Sequence, residues 1–340
     1  MIHVCYFMSD YSGHYCKWTG TSMLSIFQNT CEKVTVHILT DSTLSAQSRD
    51  NLVKIARQYD QKIIFYNAAN LLKDWWNKYQ SLDCWKNFVQ GVAAIYRLAA
   101  PIILDIPKAI FIDSDIIVDL DIKELWDLDI KGKPIAGVSL SDMGTDSAKR
   151  DRIVRHGAIS SYKEYINIGT LVIDLEQLRK IDPEYMLKGC YDILQKNLYI
   201  TDSIEERALS ILFFNRCFHL PRKFNYMVGL SRRVKNFKRG VMYHFAGSKM
   251  LTLRDGDPYN SLFLSYFIQT PFCNPDTFAN LFNECVRVFN ESKKSVQDRL
   301  NNMQKNLKLL TDNRSTQYSD ELFKPAAIRL PSSAEQFALM

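Results

Sequence analysis

The stretch from Lys108 to Val118, Lys-Ala-Ile-Phe-Ile-Asp-Ser-Asp-Ile-Ile-Val, constrains this chain more than any other segment. Ala109 to Ile112 are apolar, mostly β-branched or aromatic, and follow Pro107. That pattern predicts a strand buried on both faces, as in a parallel sheet. It stops at Asp113-Ser114-Asp115 before apolar residues resume. Open α/β sheets place their ligands beyond the carboxyl ends of such strands. In extended backbone, residues two apart share one side at about 7 Å, and a turn brings them nearer. Two like charges about 4 Å apart repel by roughly 4 kcal/mol at an effective dielectric of 20. A hard divalent cation removes that repulsion, since Mg²⁺ and Mn²⁺ prefer carboxylate oxygens together with phosphate. The plainer reading of the same residues is a solvated acidic turn.

The segments around this stretch alternate in kind. Strands are predicted over 2–8, 33–39, 61–66, 133–140, 170–173 and 241–245. Helices are predicted over 18–27, after Asp41-Ser42, over 70–76, 88–104, 183–196 and 205–214. Strands alternating with helices argue for βαβ units and a parallel sheet. The first predicted strand then ends in the polar loop Ser9-Asp10-Tyr11-Ser12-Gly13, on the same sheet edge as Asp113. A polar excursion from Ser141 to Tyr162 has the length of a lid or binding loop.

From about Thr277 the pattern changes. Val286, Phe289, Val296, Leu300, Met303, Leu307 and Leu310 recur at steps of three and four, with an interruption at Lys293. Arg287, Lys293, Lys294, Arg299, Lys305 and Lys308 outnumber Glu291 and Asp298. This predicts a basic amphipathic helix or helix pair, packed on the main domain, on a second copy in a homo-oligomer, or on an anionic membrane surface. Residues 311–340 are polar and weakly patterned. The expected division is a catalytic domain over 1–275 and a helical extension with a tail over 276–340.

Composition narrows the classes further. A formal charge of +6 in 340 residues suits an anionic substrate or acidic membrane, and by itself gives no argument for nucleic acid. The eight cysteines form no Cys-x-x-Cys pair, as expected of reduced thiols. Met1-Ile-His-Val-Cys-Tyr-Phe reads directly as a strand without a secretory leader pattern, so the expected location is the cytoplasm, including the inner face of the plasma membrane.

Four segments in order resemble glycosyltransferase family 8, which includes bacterial lipopolysaccharide glucosyl- and galactosyltransferases and glycogenin. They are Ile95-Tyr-Arg-Leu98, Phe111-Ile-Asp-Ser-Asp115, Tyr165-Ile-Asn-Ile-Gly169 and His244-Phe-Ala-Gly-Ser-Lys249. The resemblance covers roughly residues 1–270. It implies an α/β fold of the GT-A type, a mixed, mainly parallel sheet flanked by helices. It also implies a metal-dependent retaining hexosyltransferase that takes glucose or galactose from a UDP-sugar. The acceptor would be a glycan or lipid-linked glycan in cell-surface or lipopolysaccharide synthesis.

The same resemblance implies the roles of individual residues. Asp113, Asp115 and His244 would hold Mn²⁺ or Mg²⁺. Ser9, Asp10, Tyr11, Ser12, Arg97, Asp113, Ser114, Gly247 and Lys249 would bind the donor. Glu205 and Glu206 would stand beside the reacting carbon as catalytic groups, and Asn167 would contact donor or acceptor hydroxyls. Three features depart from the family pattern: the first loop, the missing Pro-Trp after Lys249, and Glu205-Glu206 where an acidic-Gln pair is usual. Two other readings remain open from the residues: a non-catalytic nucleotide-sugar-binding relative, and a HAD-type phosphotransferase, which also uses Asp-x-Asp after a buried strand.

Overall fold

The structure is a computed structural model that describes residues 1–79, 92–141, 162–196, 204–229, 237–246 and 258–314. The chain divides into two units, Met1–Cys285 and Val286–Met340. Ten strands occur among the described residues: β1 (Ile2–Phe7), β2 (Val34–Thr40), β3 (Lys62–Asn67), β4 (Lys108–Ile112), β5 (Ile116–Val118), β6 (Ile135–Ser139), β7 (Ile166–Asp174), β8 (Cys217–His219), β9 (Tyr226–Met227) and β10 (Met242–His244).

Seven of them form one sheet in the order β3-β2-β1-β4-β7-β6-β8. β3, β2, β1 and β4 run parallel. β7 is antiparallel to both β4 and β6, while β8 is parallel to β6. The sheet is therefore mixed and mainly parallel, and the one reversal falls beside β4. Alternation along the strands splits the core in two, because successive side chains leave opposite faces. Ile2, Val4, Tyr6, Ile110 and Ile112 enter one cluster, together with Met23, Leu24, Leu52 and Ile55 from the helices Tyr15–Asn29 and Ala46–Gln58. Cys5, Phe7, Ala109 and Phe111 enter the other, with Leu98, Leu178, Leu187 and Leu209 from helices on the opposite face. Both faces being covered explains why β2 is buried at every position. β3 closes one edge and is only half-buried.

A second sheet of three short strands, β5-β10-β9, is built at the end of the first. β10 is antiparallel to β5 and parallel to β9.

All seven expected strands are present, with corrections in detail. The strand expected over 170–173 starts at Ile166, since Ile166 and Ile168 are buried with the rest of β7. β5, β8, β9 and the helix Pro258–Phe267 carry too few residues, or too even an apolar pattern, to have been legible. The helix expected to end at 104 is two helices, Val92–Leu98 and Ala100–Ile103, with Pro101 in the first turn of the second. Proline fits there because a first-turn N–H needs no helical partner. The amphipathic segment is one helix, Pro275–Arg314. No glycine or proline follows Pro275 within it, so nothing in the backbone forces a break at Lys293. The excursion after Ser141 lies outside the described residues up to 161.

One feature of the parallel half responds to acid. His37 on β2 is buried, its Nε2 lies 3.0 Å from His3 Nδ1, and its Nδ1 lies 3.0 Å from the Tyr66 hydroxyl. Burial pushes the imidazole down to about 4, with His3 and Lys62 adding to the effect. An unfolded histidine titrates near 6.5, so the unfolded chain binds the extra proton between those values. Stability from neutral His37 is present above about pH 6.5 and is lost as the pH falls towards 4. Urea unfolding at pH 7 and pH 5 tests this. The wild type is expected to lose on the order of 2 kcal/mol more than His37→Asn over that interval, and identical losses would refute the assignment.

Candidate active site

β4 ends at Ile112, and the chain turns through Asp113-Ser114-Asp115 into β5, crossing from the large sheet to the small one. Both sides of that corner are held by backbone. Asp113 N–H donates to the Gly169 carbonyl at 2.8 Å, and Ile116 N–H donates to the Asp113 carbonyl at 3.2 Å. The β5–β10 register sets His244 opposite Ile116, and Phe245 N–H donates to the Asp115 carbonyl at 3.0 Å. His244 Nε2 therefore lies 3.4 Å from Asp115 Oδ1 and 3.8 Å from Asp113 Oδ2. One ligand atom from each of the three residues lies within 4.8 Å of the others.

The two carboxylates are about a quarter exposed and the imidazole is 3% exposed, so the cluster opens to solvent on its acidic side. Burial alone would push His244 down, but Asp115, Asp113 and Glu206 more than offset it and hold the imidazole above its ordinary value. Burial likewise pushes the Asp115 carboxyl up. His244, a backbone N–H and Arg97 together overcome that and leave it below the usual range.

Beneath the cluster runs a buried chain of hydrogen bonds. His244 Nδ1 meets Asn225 Oδ1 at 2.8 Å, and Asn225 Nδ2 donates to Asn167 Oδ1 at 2.6 Å. Asn167 Nδ2 donates to Glu206 Oε2 at 2.7 Å, and Gly169 N–H donates to Asn167 Oδ1 at 3.0 Å. Gly169 has to be glycine for His244 to sit here. A Cβ on it would lie 2.4 Å from His244 Cε1 and 2.7 Å from Nδ1. Asn167, expected to contact donor or acceptor hydroxyls, is tied by these bonds into the floor under the imidazole.

Arg97 comes from the helix Val92–Leu98 and is buried. One guanidinium nitrogen pairs with Asp113 Oδ1, and the other lies 3.3 Å from Glu205 Oε1. Glu205 and Glu206 occupy the first turn of the helix Ile204–Leu212, and both are buried. Burial pushes the Glu205 carboxyl up to about 7, with Arg97 opposing the shift and Asp113 and Glu206 adding to it. Arg97, Asp113, Asp115, Asn167, Glu205, Glu206 and His244 thus form one connected cluster.

The first loop is arranged differently from a row of free ligands. Asp10 is buried; its Oδ1 accepts from Tyr15 N–H at 3.0 Å, and its own N–H donates to Thr43 Oγ1 at 2.6 Å. Ser9 lies beside Asp41, whose carboxyl also accepts from Thr43 N–H at 2.9 Å and the Tyr96 hydroxyl at 2.9 Å. Tyr11 and Ser12 are exposed, Tyr11 to 83%. Ser114 is buried with its hydroxyl 2.8 Å from Thr19 Oγ1, so that side chain joins the helix Tyr15–Asn29. Gly247 and Lys249 lie outside the described residues.

Three residues escaped sequence reasoning. Asn225 sits in Phe-Asn-Tyr with no spacing signal at all. Tyr15 lies near enough to Asp115, Asp113 and Asp10 for their charge, after burial, to push its phenol up. Asp41 stood beside a predicted helix start and was legible only as a cap.

A family model described as "Glycosyl transferase family 8" matches residues 7–250. The UDP-glucose:glycoprotein glucosyltransferase of Drosophila melanogaster is 29% identical over 192 residues, which are 55% of this chain and 12% of that protein. The chain spans less than half the length of each curated relative it matches. Among solved structures, the galactosyltransferase LgtC with donor and acceptor sugar analogs aligns at a TM-score of 0.62 and 15% identity, covering 81% of this chain and 98% of that one. The bifunctional glycosyltransferase WbbM aligns at 0.64 and 16% identity, covering 83% of this chain and 51% of that one. These likenesses show a GT-A fold.

Gly169→Ala probes the close approach directly. The methyl group has to displace His244 or the β7 backbone, so a loss of about 1–3 kcal/mol is expected in urea unfolding. A variant as stable as wild type, with its His244 ring proton shifts unchanged, would refute that contact.

Proposed function

Because the chain belongs to glycosyl transferase family 8, we propose that it moves a hexose, glucose or galactose, from a UDP-sugar to a hydroxyl of a glycan or glycoconjugate. In this reading the anomeric configuration is retained and the product is an α-linked sugar. The observation that carries the proposal is the convergence of Asp113, Asp115 and His244 at the end of β4. Two carboxylates and an imidazole that opens on its acidic side fit Mn²⁺ or Mg²⁺. When bound, such an ion neutralises the charge that develops on a departing diphosphate.

The remaining work falls to the chain's own groups. Arg97 spans Asp113 and Glu205, so it orients the acidic corner and supplies positive charge next to the donor phosphates. The family resemblance assigns contacts with the donor phosphates to Gly247 and Lys249 as well, which lie outside the described residues. Tyr11, with its ring free, stacks on the uracil, while Ser9, Asp10 and Ser12 shape the ribose side of the loop.

Glu205 is tied to Arg97 and its carboxyl is pushed up to about 7, while Glu206 accepts from Asn167. Neither is a free carboxylate, which favours front-side attack by the acceptor hydroxyl over a glycosyl-enzyme intermediate. When ionised, these carboxyl groups stabilise the electron-poor sugar carbon.

The reading of the acceptor class rests on the pattern of the carboxyl-terminal helix taken by itself. Phe278, Phe282, Val286, Val296, Leu300 and Met303 are exposed along it, interspersed with basic residues. No helix among the described residues is long and apolar enough to cross a membrane. A peripheral contact with anionic lipid at the cytoplasmic face would bring the site to a lipid-linked glycan, each cation near the surface contributing about 1 kcal/mol.

Release of UDP from UDP-glucose and UDP-galactose, with and without Mn²⁺, tests the reaction. Asp115→Asn is expected to lower turnover at least a hundredfold while the chain stays folded, because an amide is a poor ligand for a hard cation. Full activity in that variant with normal metal dependence would refute the site. UDP-sugar binding without turnover would favour a non-catalytic relative, and a β-linked product by NMR would exclude retention.

Sedimentation with phosphatidylserine vesicles at low and high salt tests the membrane contact. Low-salt binding that salt reverses is expected, and recovery of the full chain in the supernatant at low salt counts against it.

A further inference from the structure

The chain of buried amides under His244 has a direction, and that direction can be traced from its fixed end. Gly169 N–H can only donate, and it points at Asn167 Oδ1 at 3.0 Å. The other end of the Asn167 amide lies 2.7 Å from Glu206 Oε2. Turning that amide over would set donor against donor at Gly169 and acceptor against the carboxylate at Glu206. Asn167 Oδ1 therefore faces Asn225, at 2.6 Å, and Asn225 must present its NH₂ there. Its oxygen is left for His244 Nδ1 at 2.8 Å, and an amide oxygen accepts. The proton on that ring nitrogen is thereby settled.

We infer that Asn225 is a positioning residue that holds His244 as the Nδ1–H tautomer, so that the Nε2 lone pair faces Asp113 and Asp115 as a ligand for a divalent cation. The inference rests on the metal reading of the preceding subsection and adds a residue that no motif singled out. Asn225 and His244 are 0% and 3% exposed, so water does not compete for Nδ1. Gly169, without a Cβ, leaves the room the ring needs to reach this floor. A ring nitrogen held by an outer partner keeps its tautomer and orientation, and removing such a partner weakens metal affinity about 10–100-fold. The chain also links the cation to Glu206, so the carboxylate expected near the reacting carbon and the metal ligand share one hydrogen-bonded unit.

Two substitutions separate the parts of this unit. Asn225→Leu keeps the volume but removes the acceptor, and Asn225→Asp keeps an acceptor for Nδ1–H while losing the donor to Asn167. Mn²⁺ binding to the full chain is measured by EPR, and folding by circular dichroism and thermal unfolding. Asn225→Leu is expected to bind Mn²⁺ about 10–100-fold more weakly, and Asn225→Asp to stay within about threefold of wild type but with turnover reduced. Equal Mn²⁺ affinity in folded wild type and Asn225→Leu would overturn the inference. Should the leucine variant fail to fold, wild-type chain decides. Long-range ¹H–¹⁵N spectra at a pH where His244 is neutral are expected to show Nδ1 protonated, and a protonated Nε2 overturns the inference. A wild type that binds no Mn²⁺ instead refutes the metal reading, while the tautomer is still read from the same spectra.

Discussion

The pairing of β10 with β5 is the interaction on which the site depends. β5 has three residues and β10 has three, and neither would hold a fold alone. They are stable because Ile116, Ile117, Val118, Met242 and Tyr243 are buried in the same cluster as the helix Tyr15–Asn29. The register is held by the pairs Met242–Val118, Tyr243–Ile117 and His244–Ile116 and by the flanking backbone bonds from Asp119 N–H to the Val241 carbonyl and from Phe245 N–H to the Asp115 carbonyl. With the register fixed, His244 falls opposite Ile116 and beside Asp115. A histidine far along the chain becomes the third member of an acidic corner through packing that involves none of the three side chains.

The reversal of β7 matters for a related reason. An antiparallel strand next to β4 brings Asn167 and Gly169 to the end where Asp113 sits, whereas a parallel strand would bring its carboxyl end there instead. Gly169 then meets Asp113 through its carbonyl and His244 through its missing side chain. Asn167 turns the same strand end into a hydrogen-bonded floor. The mixed sheet of the GT-A fold and the polar geometry of the site are consequences of one strand's direction.

Electrostatically the corner is a set of mutually compensating groups. Arg97 holds Asp113 and Glu205, and His244 holds Asp113 and Asp115. Burial works against every charge in it, pushing Glu205 up and opposing the charged form of His244. A buried charge persists only when it is paired and hydrogen-bonded, and here the pairs connect two helices, two sheets and a turn. The cluster is consequently both the chemical centre and a junction of the fold.

Much of this was legible in the chain as written. Apolar runs flanked by loop residues located all seven expected strands, and the Asp113-Ser114-Asp115 interruption marked the ligand end of β4. Those signals are local: a strand buried on both faces has to be apolar throughout, and two acids at its end stand out. Family likeness added Arg97, Asn167, Glu205, Glu206 and His244 to the same place. What the sequence could not determine is set by contacts between distant residues. The direction of β7, the short strands β5 and β9, and the role of Asn225 leave no period or motif behind. Asp10 and Ser114 illustrate the converse, since their positions mark them as near the strand ends and only the structure shows that they also hydrogen-bond within the scaffold. A motif fixes which groups are present near a strand end. Only the packed structure decides which atom of each group is already bonded and which remains free to meet a ligand, because that depends on hydrogen-bond partners supplied from elsewhere in the chain.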